Sequence, residues 1–199
     1  MTSVNSRTAN HPIDSLFLMR WSPRAFTGEE IPEATLFTLL EAARWAPSSY
    51  NSQPWRFLFS KKDSRSWPTF VRLLSESNQS WAKNASALLI VVSKKTFVPP
   101  GQDAAVASRT HSFDAGAAWA HLALQASLLG WHAHAMAGFD IDRTRTELSV
   151  PDDYRIEAAI AIGRRGDKST LPERLQTREA PNGRRPLAET VLEGGFPVG

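Results

Sequence analysis

Two short stretches concentrate the groups that could do chemistry. Arg20-Trp21-Ser22-Pro23-Arg24 places two guanidinium groups and a hydroxyl close together, a grip for an anion. Ala46-Pro47-Ser48-Ser49-Tyr50-Asn51-Ser52-Gln53-Pro54-Trp55 sets a run of hydroxyls and amides between prolines, suited to the polar edge of a flat ring. In the first stretch Ser22 is a good N-cap and Pro23 suits the first helical position. This predicts a single helical turn, stopped by Gly28 and Pro32, whose N–H groups point outward. Such a turn attracts a phosphate, and Arg20 and Arg24 add bidentate contacts. The same residues also describe two surface arginines beside a capped turn. In the second stretch Pro47 ends the preceding helix and Pro54 biases Gln53 toward an extended backbone. The loop either satisfies itself or presents a recognition surface on the edge of the strand Trp55–Phe59.

The elements that must position these residues follow from periodicity and punctuation. Met1 to Pro12 reads as a flexible tail, and Ile13–Leu18 as a short helix leading to the arginines. Leu36, Leu39, Leu40 and Ala43 give Ile31–Ala46 a helical period. Pro68–Glu76 is a second helix. Ala87–Val92 is apolar throughout and reads as a strand buried on both faces. Lys94–Ser108, with Pro99-Pro100-Gly101 inside it, reads as a loop and a candidate lid. Ser112–Leu129 is a long helix closed by Gly130, and its many alanines allow close approach by another element. Trp131–Phe139 is a strand, Asp140 caps a helix over Ile141–Leu148, and Ala158–Ile162 is another buried strand.

Length and composition suit one domain, residues 13–199 following the tail, with 42% hydrophobic residues to fill its core. Seven tryptophans and ten phenylalanines favour flat-ring sites or interfaces. The charges are interspersed, so no nucleic-acid footprint is expected. The absence of cysteine excludes disulfides, thiolate metal sites and a cysteine nucleophile. The longest apolar run is too short to cross a bilayer and no leader pattern opens the chain, so a cytoplasmic protein is expected. No G-x-G-x-x-G follows a strand, and no G-x-S-x-G elbow occurs. His132 and His134 share a strand face but lack a third metal-ligand signal, so no metal is expected.

In order and spacing, several of these pieces are similar to one family along nearly the whole chain. They are Arg20-x-Ser22-x-Arg24-x-Phe26, Ala43 to Trp55, Asn78, Asp114-Ala115-Gly116-Ala117, Gly130, Ala137-Gly138-Phe139-Asp140, Ile162-Gly163 and Arg184-Arg185-Pro186-Leu187. The chain resembles the nitroreductase family of FMN-dependent NAD(P)H oxidoreductases. That resemblance implies an α+β fold, an α-β-α sandwich whose central, mainly antiparallel sheet is flanked by helices. It implies an intertwined homodimer with FMN in clefts at the interface. Arg20, Ser22, Arg24 and Arg184 would hold the phosphate and ribityl end beside Trp21, with Gly163 and Arg164 passing near the phosphate. Ser48, Ser49, Tyr50 and Asn51 would come from the partner subunit and line the flavin, with Gln53 close by and Pro47 among the cofactor-binding residues, and Asn78 would reach its pyrimidine side or ribityl chain. Ala137 and Gly138 would lie beside the reactive N5. Tyr50 and Trp81 stand where a small Thr and a Lys are common. Trp81 and Phe113 are therefore either an acceptor-binding surface or core residues. The implied reaction is ping-pong transfer from NAD(P)H through the flavin to nitroaromatic or quinone acceptors. The alternatives are another flavin reaction on the same fold, such as reductive dehalogenation or flavin destruction, or a flavin-binding protein without turnover.

Overall fold

The strand Ala87–Lys94 explains most of the architecture. Its residues alternate between two sides of a sheet, and both sides are covered by helices, so nearly every position must be apolar. In the computed structural model, which describes residues 5–196, the elements in chain order are α1 (Ser15–Met19), α2 (Glu33–Arg44), β1 (Trp55–Lys61), α3 (Trp67–Leu73), α4 (Glu76–Ala82) and β2 (Ala87–Lys94). They continue with β3 (Thr96–Phe97), β4 (Val106–Ala107), α5 (His111–Leu128), β5 (His132–Met136), α6 (Ile141–Glu147), β6 (Tyr154–Gly163) and α7 (Glu173–Gln176). The main sheet has the order β1-β2-β6-β5, and every neighbouring pair is antiparallel.

Leu89 and Val91 of β2 pack with Ile160 and Ile162 of β6 against α2 and the alanine-rich face of α5. Leu88, Ile90 and Val92 face the other way, toward Phe26, Phe70, Trp81 and Leu175. The α-β-α sandwich and the mainly antiparallel sheet are therefore as expected.

Local punctuation accounts for the boundaries. Pro32 caps α2 rather than lying within it, and the helix ends at Arg44, before Ala46 and Pro47. Helix α5 closes in a Schellman arrangement: Trp131 N–H donates to the Ala126 carbonyl at 2.8 Å and Gly130 N–H to Ser127 at 3.1 Å, with Gly130 at φ +70°. The expected helix Pro68–Glu76 is instead two helices. Leu74 turns extended and bridges to Phe139, and a new helix, α4, starts after Ser75. The expected strand to Phe139 ends at Met136 because the Gly138 carbonyl accepts from Ser75 N–H and Asn78 Nδ2 instead. The segment read as a loop over Lys94–Ser108 contains a hairpin, β3 against β4.

Candidate functional site

The arginine stretch is irregular, not a helical turn. The reason is Glu179, a carboxylate buried to 3% side-chain exposure. Its Oε1 accepts the N–H groups of Arg24 at 2.8 Å and Ala25 at 2.9 Å, so the amides expected to point outward are already engaged. The carboxylate pins the backbone at Arg24 and Ala25, and Arg20, Ser22 and Arg24 line a common cleft of about 680 Å³.

Arg184, 160 residues further along the chain from Arg24, lines the same cleft, as do Arg7 and Arg178. Five guanidinium groups thus converge, with the buried acid Glu179 beside Arg24. Burial, with the neighbouring Arg184 charge, pushes the Arg20 guanidinium down from its ordinary value. Burial also lowers Arg24, against the pull of Glu179, and Arg7 is lowered by burial, Arg184 and Arg20. All remain cationic. Among the described residues, Arg20 Nη1 makes only a long 3.4 Å contact with Ser22 Oγ, and Arg24 Nη1 stands 3.8 Å from Glu179 Oε2. Donors are therefore left for an anion. Trp21 is buried but edges the cleft.

Three features of the cleft were not legible in the sequence. Arg7 lies in the segment read as a flexible tail, of which residues 1–4 lie outside the described residues. Its Nη1 donates to the carbonyls of Leu18 at 3.1 Å and Arg20 at 2.8 Å, and its Nε to that of Asn182 at 2.8 Å, so residue 7 is tied to both walls. Glu179 acts across 155 residues, and no local pattern announces it. His134 closes the floor, with Nδ1 2.9 Å from the Pro23 carbonyl and its ring 4.8 Å from Trp81. Burial holds its pKa down at about 4, assisted by the Arg24 and Arg20 charges and opposed by hydrogen bonds to the Pro23 and Ser22 backbone.

The second stretch forms a strained loop. Tyr50, Asn51 and Gln53 all have positive φ, at 52°, 52° and 44°, so Gln53 is left-handed rather than extended. Such conformations cost of order 1–3 kcal/mol each and persist only where the surroundings impose them. Here Ser48 Oγ accepts from Gln53 N–H at 3.0 Å. The buried Asp114 accepts from Ser49 N–H at 3.2 Å and from Thr110 Oγ1 at 2.9 Å, which anchors the loop to the first turn of α5. An acid in the first turn of a long helix was the available signal for Asp114. Pro47 is exposed at the start of the loop. Tyr50 stacks on Phe97 of the hairpin, with centroids 5.4 Å apart. This loop lines a separate hollow and does not share the arginine cleft within one chain.

Asn78 and Gly138 are brought together: Asn78 Nδ2 donates to the Gly138 carbonyl at 2.9 Å. A Cβ at position 138 would lie 2.8 Å from that amide, so only glycine fits without displacement. Ala137 and Gly138 are exposed, and Phe113 is 81% exposed on α5. Other expected positions are placed elsewhere. Trp81 is 2% exposed in the core against Phe26 and His134, so it offers no surface to an acceptor. Gly163 is buried beneath the Phe26 ring, which a Cβ there would meet at 2.6 Å. Arg164 caps α5 by donating to the carbonyls of Leu129 at 3.2 Å and Gly130 at 2.9 Å, and it stacks 4.6 Å over Trp131. Its guanidinium is spent there rather than in the cleft. Among the described residues no cluster of three or more metal-ligating side chains occurs, and no helix is long and apolar enough to cross a membrane.

Comparison with known proteins extends the geometry. The chain superposes on a crystal structure described as an oxidoreductase containing FMN, with TM-score 0.93 and 53% identity over 99% of both chains. It is 27% identical to an NADH dehydrogenase of Thermus thermophilus, over 79% of this chain and 89% of the relative. It is 28% identical to an oxygen-insensitive NADPH nitroreductase of Helicobacter acinonychis, over 78% of this chain and 85% of the relative. The family model described as "Nitroreductase family" matches residues 18–95 and 60–164, so the chain belongs to the nitroreductase family.

Proposed function

We propose that this chain is an FMN-dependent oxidoreductase that takes reducing equivalents from NAD(P)H and passes them to nitroaromatic or quinone acceptors, working as a homodimer. The observation that carries this reading is the cleft in which Arg20, Arg24 and Arg184 converge with Ser22 between them. Five guanidinium groups around one buried carboxylate leave an excess of positive charge that a phosphate dianion would neutralise. The 53% identical FMN-containing oxidoreductase and the two relatives named for NADH and NADPH supply the cofactor and donor.

When bound, FMN supplies two-electron redox chemistry at its N5. The chain's own residues do the rest. Arg20, Ser22, Arg24 and Arg184 hold the phosphate and ribityl end, with charge added by Arg7 and Arg178. Glu179 and His134 keep the arginine backbone in place from behind. Gly138, its carbonyl fixed by Asn78 and Ser75, brings backbone close to the reactive edge of the ring. The loop Ser48–Asn51 lies apart from the arginine cleft of its own chain, with Tyr50 and Asn51 lining a different hollow, which suits it to the cofactor held by the other subunit. Exposed Phe113 offers apolar surface to flat acceptors. No side chain is required as acid or base, and one slot serves donor and acceptor in turn.

Two measurements test this. Purified protein should show the absorbance bands of oxidised flavin, and NADPH or NADH should bleach them without oxygen or acceptor. Initial rates over a grid of donor and menadione concentrations should give parallel double-reciprocal lines. Intersecting lines together with acceptor-dependent reduction would refute the single slot. Failure of both donors to reduce the flavin would refute the oxidoreductase reading itself.

A further inference from the structure

The hollow beside the strained loop has a chemistry of its own. It measures about 390 Å³, room for a single-ring ligand. One wall is the stacked pair Tyr50–Phe97, with ring planes 30° apart. Arg56 and Lys94 also line it. The strand register puts these cations near one another: Arg56 pairs with Val92, and Lys94 lies two residues further along β2, donating its N–H to Pro54. Residues two apart on a strand share a face, and diagonal cross-strand neighbours lie within reach of long side chains. Arg56 Nη1 donates to the carbonyls of Gln53 at 3.1 Å and Trp55 at 2.7 Å, which fixes the guanidinium at the mouth of the loop. Lys94 Nζ stands 3.6 Å from Asp153 Oδ2, a half-exposed pair of little strength. No acidic residue lines the hollow.

The geometry points to a subsite for an anionic group carried on an aromatic ring. The ring is held at the Tyr50–Phe97 pair, and the anion is held by Arg56 and Lys94. Because Tyr50 and Asn51 line both this hollow and the loop assigned above to the flavin, a ligand here lies at the edge of the electron-transfer slot. This assignment rests on the proposed function. An acceptor such as a nitroaromatic acid has this chemistry in a single ring, whereas the 2′-phosphate that distinguishes NADPH from NADH is carried on a ribose.

The test uses purified holoprotein, calorimetric titration with 4-nitrobenzoate and with nitrobenzene, and the KM ratio for NADH over NADPH. If the anion belongs to the acceptor, nitrobenzoate binds about tenfold more tightly than nitrobenzene. The double variant Arg56→Gln, Lys94→Gln then loses that preference while nitrobenzene affinity is unchanged. If the double variant keeps the nitrobenzoate preference and instead loses a preference for NADPH, the assignment of the hollow to an acceptor is overturned. Lys94→Gln alone, which disturbs no backbone contact, should lower the nitrobenzoate-over-nitrobenzene ratio about threefold and keeps the test valid if the double variant misfolds. A wild type without the nitrobenzoate preference, or variants that keep it, overturns the assignment. Protein purified without flavin would instead refute the proposed function, and the nitrobenzoate titration would still read the hollow.

Discussion

His134 shows how one buried side chain serves the arginine row. With Nδ1 facing the Pro23 carbonyl, it donates as the neutral ring, and burial holds its pKa down at about 4 from an ordinary value of 6.5. The sign follows from linkage. The unfolded chain binds a proton at His134 below about 6.5, the folded chain only below about 4, so folding loses stability as pH falls through that window. His132, similarly lowered to about 4 by burial and by Arg165, Arg164 and Arg20, acts in the same direction. We predict that the melting temperature falls between pH 6.5 and 4, and that His134→Gln flattens the fall by an amount on the order of 2 kcal/mol. A variant with the same slope as the parent would show that His134 is not the group responsible.

At the scale of elements, the ends of helices do as much as their faces. Gly130 terminates α5 at positive φ, and a Cβ there would meet Arg164 Nη1 at 2.7 Å, the group that caps the helix carbonyls. Gly130→Ala therefore combines left-handed strain with a displaced cap. It should cost about 1–2 kcal/mol, lowering the melting temperature by roughly 2–8 °C. Unchanged melting would deny the cap its role. The two buried strands were legible as short, continuous apolar runs, and the long α5 by its length and the Gly130 that closes it. Helix α4 was not, because its start depends on Leu74 leaving α3 to bridge Phe139, a tertiary event. The arginine row was legible in residue type but not in conformation, since Ser22-Pro23 signals a helical turn and Glu179 overrides it from a distant segment. Trp81 illustrates the converse. A tryptophan near a polar loop reads equally as surface or core, and only the packing with Phe26 and His134 decides.

At the scale of the whole molecule, one chain leaves large apolar groups uncovered. Phe17, Met19, Trp45, Phe113, Leu128 and Val191 are each more than half exposed. Such residues are candidates for an interface, and the proposed homodimer would also bring the Ser48–Asn51 loop of one chain to the arginine cleft of the other. We predict that light scattering of the flavin-loaded protein gives a dimer mass at micromolar concentration. A stable monomer that retains FMN would contradict this. The central claim, that the arginine cleft is a phosphate grip, has a more direct test in the affinities for FMN and riboflavin, which differ by the phosphate alone. The account predicts that the apoprotein binds FMN on the order of 100-fold more tightly than riboflavin, and that Arg20→Ala and Arg24→Ala each remove about tenfold or more of that difference while leaving riboflavin affinity unchanged. Equal affinity for the two flavins in the unmutated protein would contradict it.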